Sequence, residues 1–364
     1  MYRLLKKING LFLFCFTLLF VAAMGLGLFF GAKYNDTSIH MDTSPAMQEL
    51  GATVFEAPIA QLENRVGELM AAAGRVDEAW QATLAAEKEL QNKVGNMAGS
   101  VQSYKNQSDE FYENLLISRL GKPIYTRNGT NSSIKIFELK EEGYRGYMAK
   151  IKLKTSSALK VTMSPSSKPG GETPSQAAKR LGAIFAVNGG GFASSTKNGV
   201  TYRVPLGNAM INGELYGDFQ ATYNDLAFAG FTKSNKLVCG LYETEEQLKN
   251  SGVWQGVSFV PILIKDWEAQ TIPSKWANAR QPRTVIGQYP NGDVFFVVVD
   301  GRQSDWSNGV TLEEMQVLLS NWGIMEALNL DGGGSSAMYY NGNVLNKPSD
   351  GTERKMATNI VIMP

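Results

Sequence analysis

The chain of 364 residues carries a single histidine, His40, and two cysteines, Cys15 and Cys239. Everything after His40 must work without imidazole. That excludes Ser-His-Asp and Cys-His catalysis, and histidine-based zinc sites, from any downstream domain. Two cysteines so far apart exclude a disulfide scaffold and a Cys-type zinc site. An excess of one charge is missing too: 35 lysines and arginines meet 34 aspartates and glutamates. With no basic stripe of interleaved aromatics, nucleic acid is not an expected partner. Carboxylates, arginines, lysines, hydroxyls and backbone amides remain to carry any chemistry.

What is present starts with a long apolar run. Leu11 to Ala32 reads LFLFCFTLLFVAAMGLGLFFGA and holds no charge. A bilayer core of about 30 Å needs roughly 20 apolar residues as a helix, so residues 11–32 are expected to span a membrane. Arg3, Lys6 and Lys7 precede the run and place residues 1–10 in the cytoplasm, with everything after Lys33 outside. The alternative is a cleaved signal peptide with Val21-Ala22-Ala23 as its small-residue site. Both readings put the domain outside the cytoplasm, and the favoured anchor holds it on the cell membrane.

After a linker (33–58) a heptad-like seam runs Ile59, Leu62, Val66, Leu69, Ala73, Val76, Trp80. Thr83 and Glu87 interrupt it, and it resumes with Leu90, Val94, Met97, Val101 and Tyr104. Steps alternating three and four predict a helical, coiled-coil-like spacer over 59–120. Gly67, Gly74, Gly95 and Gly99 weaken it, and Gly95–Gly99 would suit a bend. Two arrangements follow: an oligomeric stalk, which is favoured, or a helical hairpin.

From Gly121 to the end the pattern turns to short β-rich runs: Ser133–Glu138, Gly146–Lys152, Ala183–Val187, Asp225–Phe231, Thr284–Gly287, Val294–Val299 and Ala327–Leu330. Asn212-Gly213, Asn291-Gly292 and Asn341-Gly342 are hairpin signals. Two helices are expected, Thr173–Leu181 and Thr311–Trp322. The second carries a capping box of Thr311 and Glu314. The class is α+β, with a mixed, mainly antiparallel sheet and few helices.

Several apolar strands end in a polar residue followed by glycine. They are Phe185-Ala186-Val187-Asn188-Gly189-Gly190-Gly191, Val297-Val298-Val299-Asp300-Gly301-Arg302, and Leu328-Asn329-Leu330-Asp331-Gly332-Gly333-Gly334-Ser335-Ser336. Polar groups gathered at strand ends are how a site is commonly set on a rigid scaffold. No Gly-Lys-Ser/Thr is present, so there is no Walker A loop. The triple glycine leads into a hairpin and not a helix, which excludes a Rossmann phosphate turn. Gly333-Gly334-Ser335-Ser336-Ala337 lacks the last glycine of a hydrolase elbow.

Taken together, the segments resemble the phosphodiester glycosidase family. The resemblance runs through Val187-Asn188-Gly189-Gly190, Pro282-Arg283-Thr284, Val299-Asp300-Gly301-Arg302, Gly309-Val310-Thr311-Leu312-Glu313-Glu314, Asn329 to Ser336, and Asn346-Lys347-Pro348-Ser349 with Glu353-Arg354. It covers about Tyr125 to Met363. Here Gly191 intervenes before Phe192, where the family usually reads Asn-Gly-Gly-Phe. The resemblance implies hydrolysis of a sugar-1-phosphodiester, of the N-acetylglucosamine-1-phosphodiester type, leaving a phosphomonoester.

Such a substrate needs cations and amides for its phosphate and a carboxylate for the anomeric centre or its water. Asp331 is the first candidate nucleophile or general base, and Asp300 the second; each could instead be a turn aspartate. Arg283 and Arg302 are candidate phosphate clamps, or salt-bridge partners of those acids. Ser335, Ser336 and the amides of Gly332, Gly333 and Gly334 are candidate phosphate ligands, or local turn groups. Asn188, Gly189, Thr284 and Arg354 are candidate sugar contacts, with Asn188 also able to orient Asp331 or cap a turn. Trp306 would suit stacking on a sugar face. Oxygen donors would suit a divalent cation such as Ca2+, but no loop has EF-hand spacing, so no cofactor and no specific metal site is expected. The expected partners are a sugar-phosphate or polysaccharide substrate from cell-surface or exopolysaccharide material, the membrane, and further copies of the chain. The competing classes are a non-enzymatic carbohydrate-binding or assembly protein, and a phosphodiesterase cutting at phosphorus.

Overall fold

The computed structural model describes residues 45–222 and 226–364. The expected cytoplasmic tail, the membrane helix and the linker up to residue 44 lie outside the described residues, as does Asp225. Among the described residues no helix is long and apolar enough to cross a membrane. The chain divides into two units between Val94 and Gly95. The described part of the first, residues 45–94, belongs to helix α1, which is assigned over Pro45–Leu120. It starts before the expected residue 59, and Gly95–Gly99 is assigned as helix.

The second unit builds its sheets in chain order from β1 (Tyr125–Asn128), β2 (Ser132–Glu141), β3 (Tyr144–Leu153) and β4 (Leu159–Met163). After α2 (Pro174–Leu181) come β5 (Phe185–Asn188), β6 (Phe192–Lys197), β7 (Val200–Pro205), β8 (Ala209–Ile211), β9 (Glu214–Leu215), β10 (Ala227–Thr232) and β11 (Leu237–Gly240). After α3 (Glu245–Asn250) come β12 (Val253–Phe259), β13 (Ile262–Lys265), β14 (Glu268–Ala269), β15 (Arg283–Gln288) and β16 (Val294–Val299). Helix α4 (Leu312–Asn321) precedes β17 (Glu326–Leu330), β18 (Met338–Tyr340), β19 (Asn343–Val344) and β20 (Thr358–Ile362).

An eight-stranded sheet has the order β1-β2-β3-β16-β15-β17-β13-β14. Two five-stranded sheets, β19-β18-β5-β20-β4 and β11-β10-β12-β8-β9, and a separate β6-β7 hairpin complete the β structure. Every ladder among the described residues is antiparallel, so the sheets are antiparallel and not mixed.

Why the central strands read as unbroken apolar runs follows from what covers them. Phe296 and Val298 of β16 pack with Val187 of β5, Ile360 of β20 and Val257 of β12. Phe295, Val297 and Val299 point to the other face and meet Leu312, Met315 and Leu319 of α4. A strand alternates its side chains, so burial on both faces demands an apolar residue at every position. Thr311 and Glu314 form the expected capping box at the start of α4, each bonding the other's backbone N–H.

The last turns of α1 belong to this second core. Tyr112 and Leu116 are buried among Tyr289, Phe295 and Trp322, so the core extends amino-terminal to Gly121. Ion pairs of Glu113 with Lys135 and of Asp109 with Lys152 fix the same turns to β2 and β3. Leu116→Ala should therefore cost about 2–5 kcal/mol in urea unfolding of the domain. Val317→Ala, on the exposed face of α4, should stay within about 0.5 kcal/mol. Equal effects of the two changes would show that α1 does not share the core.

Candidate active site

Three adjacent strands of the large sheet meet the same rim. Arg283 lies opposite Val299 and Thr284 opposite Leu330, so Pro282 enters β15 where Asp300 leaves β16 and Asp331 leaves β17. From the facing sheet β5 brings Asn188 to this rim. Its amide nitrogen donates to the Asp331 carbonyl at 2.6 Å. Its oxygen accepts from Thr284 Oγ1 at 2.9 Å and from the Ala337 N–H at 3.2 Å. Asn188 and Thr284 are fully buried, and Gly189 is packed against Thr358. These three are corrected from sugar contacts to the joint between the sheets. Asn188 meets Asp331 only at the backbone carbonyl.

Asp331 sits above that joint. Its carboxylate accepts from Ser335 and from the Gly332 N–H, and Arg354 and Arg203 bear on it electrostatically. Burial nevertheless outweighs these groups and raises the carboxyl above the ordinary aspartate range. The fully buried Ser335 accepts from Arg354 Nη1 at 3.3 Å, linking the acid to a cation. Ser336 is also buried, and its hydroxyl has no partner among the described residues.

The glycines after Asp331 make room for arginines. Gly333 has φ +60°, and a Cβ there would lie 3.0 Å from Arg302 Nη2. A Cβ on Gly334 would overlap the Asp350 carboxylate and the Arg354 guanidinium, which are themselves paired at 2.6 Å. Arg302 has φ +62°, a region that costs a side-chain-bearing residue about 1–3 kcal/mol and that collects at functional positions. Its Nε donates to Gln281 at 2.7 Å, and the residue stays exposed.

Asp300 is the opposite case from Asp331. It is almost fully buried, and both of its oxygens are taken. It accepts from Trp306 Nε1 at 2.8 Å, Asn346 Nδ2 at 2.9 Å and the Lys347 N–H at 3.0 Å. Burial raises its carboxyl and these donors oppose the rise. These three donors tie the carboxylate to two loops, so the structure gives Asp300 a fastening role where a catalytic one was expected. Trp306 carries the Lys347 ammonium 3.7 Å and the Arg145 guanidinium 4.7 Å from its ring centre, so these cations sit where a stacked sugar was expected.

Arg283 is corrected as well. Thr284 faces Asn188, and alternation turns Arg283 to the other face of the sheet. There its Nη2 donates to the Ala279 carbonyl at 2.7 Å and its Nε to the Val310 carbonyl at 3.3 Å. Burial lowers its pKa to about 10, which leaves it charged at neutral pH but facing away from Asp331.

A cation that does act on Asp331 was not legible in the sequence. Arg203 lies on β7 of the free-standing hairpin, with its guanidinium 4.3 Å above the Phe192 ring. Burial and the neighbouring Arg354 lower its pKa, while Asp331 raises it. Nothing in Thr201-Tyr202-Arg203-Val204 marks a site; only the fold brings it to Asp331. Among the described residues no group of three or more acidic, histidine or cysteine side chains is placed to hold a metal ion.

Comparison with known proteins places the domain in a family. The model of the phosphodiester glycosidase family matches residues 181–363, which includes Asn188, Arg203, Asp300, Asp331 and Arg354. The chain belongs to the phosphodiester glycosidase family. Mouse N-acetylglucosamine-1-phosphodiester alpha-N-acetylglucosaminidase is 30% identical over 191 residues, covering 48% of this chain and 35% of the mouse protein. The SPbeta prophage-derived uncharacterized protein YomE of Bacillus subtilis (strain 168) is 34% identical over 197 residues, covering 52% of this chain and 29% of that protein. The chain thus spans about a third of the length of these curated relatives. The zebrafish N-acetylglucosamine-1-phosphodiester alpha-N-acetylglucosaminidase catalytic domain, auto-inhibited by its pro-peptide, superposes with a TM-score of 0.52 at 22% identity. It covers 68% of this chain and 90% of the zebrafish one, and shows a shared fold.

In this phosphodiester glycosidase domain the raised carboxyl of Asp331 has a stability consequence. Between the ordinary aspartate pKa and the raised one, the native state holds more protons than the unfolded chain. Stability therefore falls as pH rises through that window. Asp331→Asn should make the fall shallower, with Asp300 and Glu326 still contributing in the same direction. Its melting temperature at neutral pH should be no lower than wild type; a marked drop would make Asp331 a structural turn residue.

Proposed function

We propose that the domain hydrolyses a sugar-1-phosphodiester at the anomeric carbon, with Asp331 as general base. The observation that carries this reading is a desolvated carboxylate at a strand end with arginines gathered around it and no histidine among the described residues. Asp331 takes a proton from water as the water oxygen bonds to C1. The C1–O bond breaks, and its electron pair leaves with the phosphomonoester. A raised pKa suits a base that works near neutral pH better than it suits a leaving carboxylate. Arg203 and Arg302, neither in an ion pair with a carboxylate among the described residues, would hold the phosphate oxygens. Arg354, neutralised by Asp350, acts through Ser335 on the acid. Phosphate leaves readily, so one carboxylate suffices, which agrees with Asp300 being committed to its loops. The names of the mouse and bovine relatives support N-acetylglucosamine-1-phosphodiester as the first substrate class to assay.

The apolar run at residues 11–32 supports tethering of this activity to a membrane, with cell-surface or exopolysaccharide material outside as substrate. The spacer supports self-association with a second copy of the chain. Leu69, Trp80, Leu90 and Val94 on its seam are 57–70% exposed, with Met70 and Leu84 beside them. Eight such side chains between Val66 and Val94, at roughly 100 Å2 each, offer about the 800 Å2 per partner of a standard interface. Trp80→Glu should shift the full-length chain in detergent to a monomer by sedimentation equilibrium. No shift would remove the seam as the contact.

Activity is tested with the full-length chain on N-acetylglucosamine-1-phosphodiesters. Asp331→Asn should lower kcat by about 10²–10⁴-fold with KM little changed. The acid limb of the pH–rate profile should lie above the ordinary aspartate value of about 4. Arg203→Ala should cost about 10–100-fold in kcat/KM, the range for a lost charge-assisted hydrogen bond. In ¹⁸O-labelled water the label should enter the sugar C1 hydroxyl. Label in the phosphate would establish attack at phosphorus, and binding without turnover across a substrate panel would leave a non-enzymatic carbohydrate-binding or assembly role.

A further inference from the structure

The seam of α1 does not stop at Val94. The seven-residue step that carries Leu69, Val76 and Leu90 falls next on Met97, Tyr104 and Phe111, and the interleaved row falls on Ser108 and Leu115. From Met97 to Ser118 no seam position is charged, while Lys105, Asp109, Glu110, Glu113 and Arg119 all lie off it. A stripe kept clear of charge at a seven-residue repeat is how a helix is patterned to meet another helix.

Within the second unit the domain leaves this stripe bare. Met97, Tyr104 and Phe111 are 68%, 70% and 62% exposed. The same turns dock by a different flank. Tyr112 and Leu116 are buried in the second core, and Asp109 and Glu113 pair with Lys152 and Lys135. One residue turns a helix by about 100°, so the docked flank and the seam look in different directions. Leu115 is half-buried against the second core and ends the bare row where the helix meets the domain. Single exposed apolar side chains are ordinary, but three in strict register on a docked helix form one face.

A partner on this face would leave the catalytic rim open. Asn291, in the β15–β16 hairpin, donates from Nδ2 to Asp109 at 2.6 Å. The Asp331 rim lies at the other end of β15, about 17 Å of strand away.

We propose that the contact between copies runs on through Met97, Tyr104, Ser108 and Phe111, so that a second copy of the chain, parallel and in register, lies against the turns docked in each domain. The proposal rests on the self-association reading above, which carries the contact only as far as Val94. Pairing then sets two domains side by side with both rims open, where a contact confined to the spacer would leave each on its own tether.

The test uses the full-length chain in detergent with Cys15→Ser, which leaves the buried Cys239 as its one native thiol. Ser108→Cys, on the seam, and Ser103→Cys, exposed and off it, are oxidised separately with copper phenanthroline and read on a non-reducing gel. A disulfide needs its α-carbons within about 7 Å, which a parallel, in-register seam provides at Ser108 and not at Ser103. Ser108→Cys should give mostly covalent dimer and Ser103→Cys mostly monomer. Tyr104→Glu should weaken self-association about tenfold by sedimentation equilibrium, a loss of about 1.4 kcal/mol. Equal cross-linking at the two positions, none at either, or an unchanged affinity in Tyr104→Glu overturns the extended contact. If Trp80→Glu nevertheless dissociates the chain, self-association through the spacer stands without it. A wild-type chain that sediments as a monomer removes both.

Discussion

The central strands β16, β15 and β17 are covered on both faces, and this constraint decides where polar chemistry can sit. Within the strands most side chains meet a core, and an unpaired polar group there would cost about 1–3 kcal/mol or more. Charge is tolerated only where the strands run out, so Asp300, Arg302 and Asp331 gather at one rim. The Asn188 amide locks the facing sheet to that rim and fixes the spacing between them. The site inherits its rigidity from two cores rather than from its own loops.

At the rim, two aspartates after similar strands meet different fates. Asp300 is surrounded by donors and becomes a fastener for the Trp306 and Asn346–Lys347 loops. Asp331 has fewer donors of its own and depends on arginines that arrive from separate segments, Arg203 and Arg354. The left-handed backbone at Arg302 belongs to the same economy of space, with its side chain brought over a glycine that nothing larger could replace without displacement. Electrostatic preorganisation of this kind requires the cations to be in place before substrate arrives.

Much of this was legible in the sequence, for identifiable reasons. Val294–Val299 and the Asn212-Gly213 and Asn341-Gly342 hairpins were readable because strand burial and left-handed turns restrict residue choice at those positions. Asp331 stood out through its glycines, and the family resemblance through ordered motifs. The direction of a side chain was not readable. Arg283 and Thr284 are neighbours in one motif, but they face opposite sides of the sheet, and only register reveals which one meets Asn188. Arg203 left no local mark, because its proximity to Asp331 is made by chain folding across more than a hundred residues. The strands β4, β13 and β20 were also missed, since their short apolar runs carry no turn signal of a distinctive kind.

The hairpin that carries Arg203 hydrogen-bonds to no other sheet. No residue of it belongs to either core, so the domain holds its acid between the cores and this cation outside them. A lineage of such domains can change what it grips faster than it changes what it breaks.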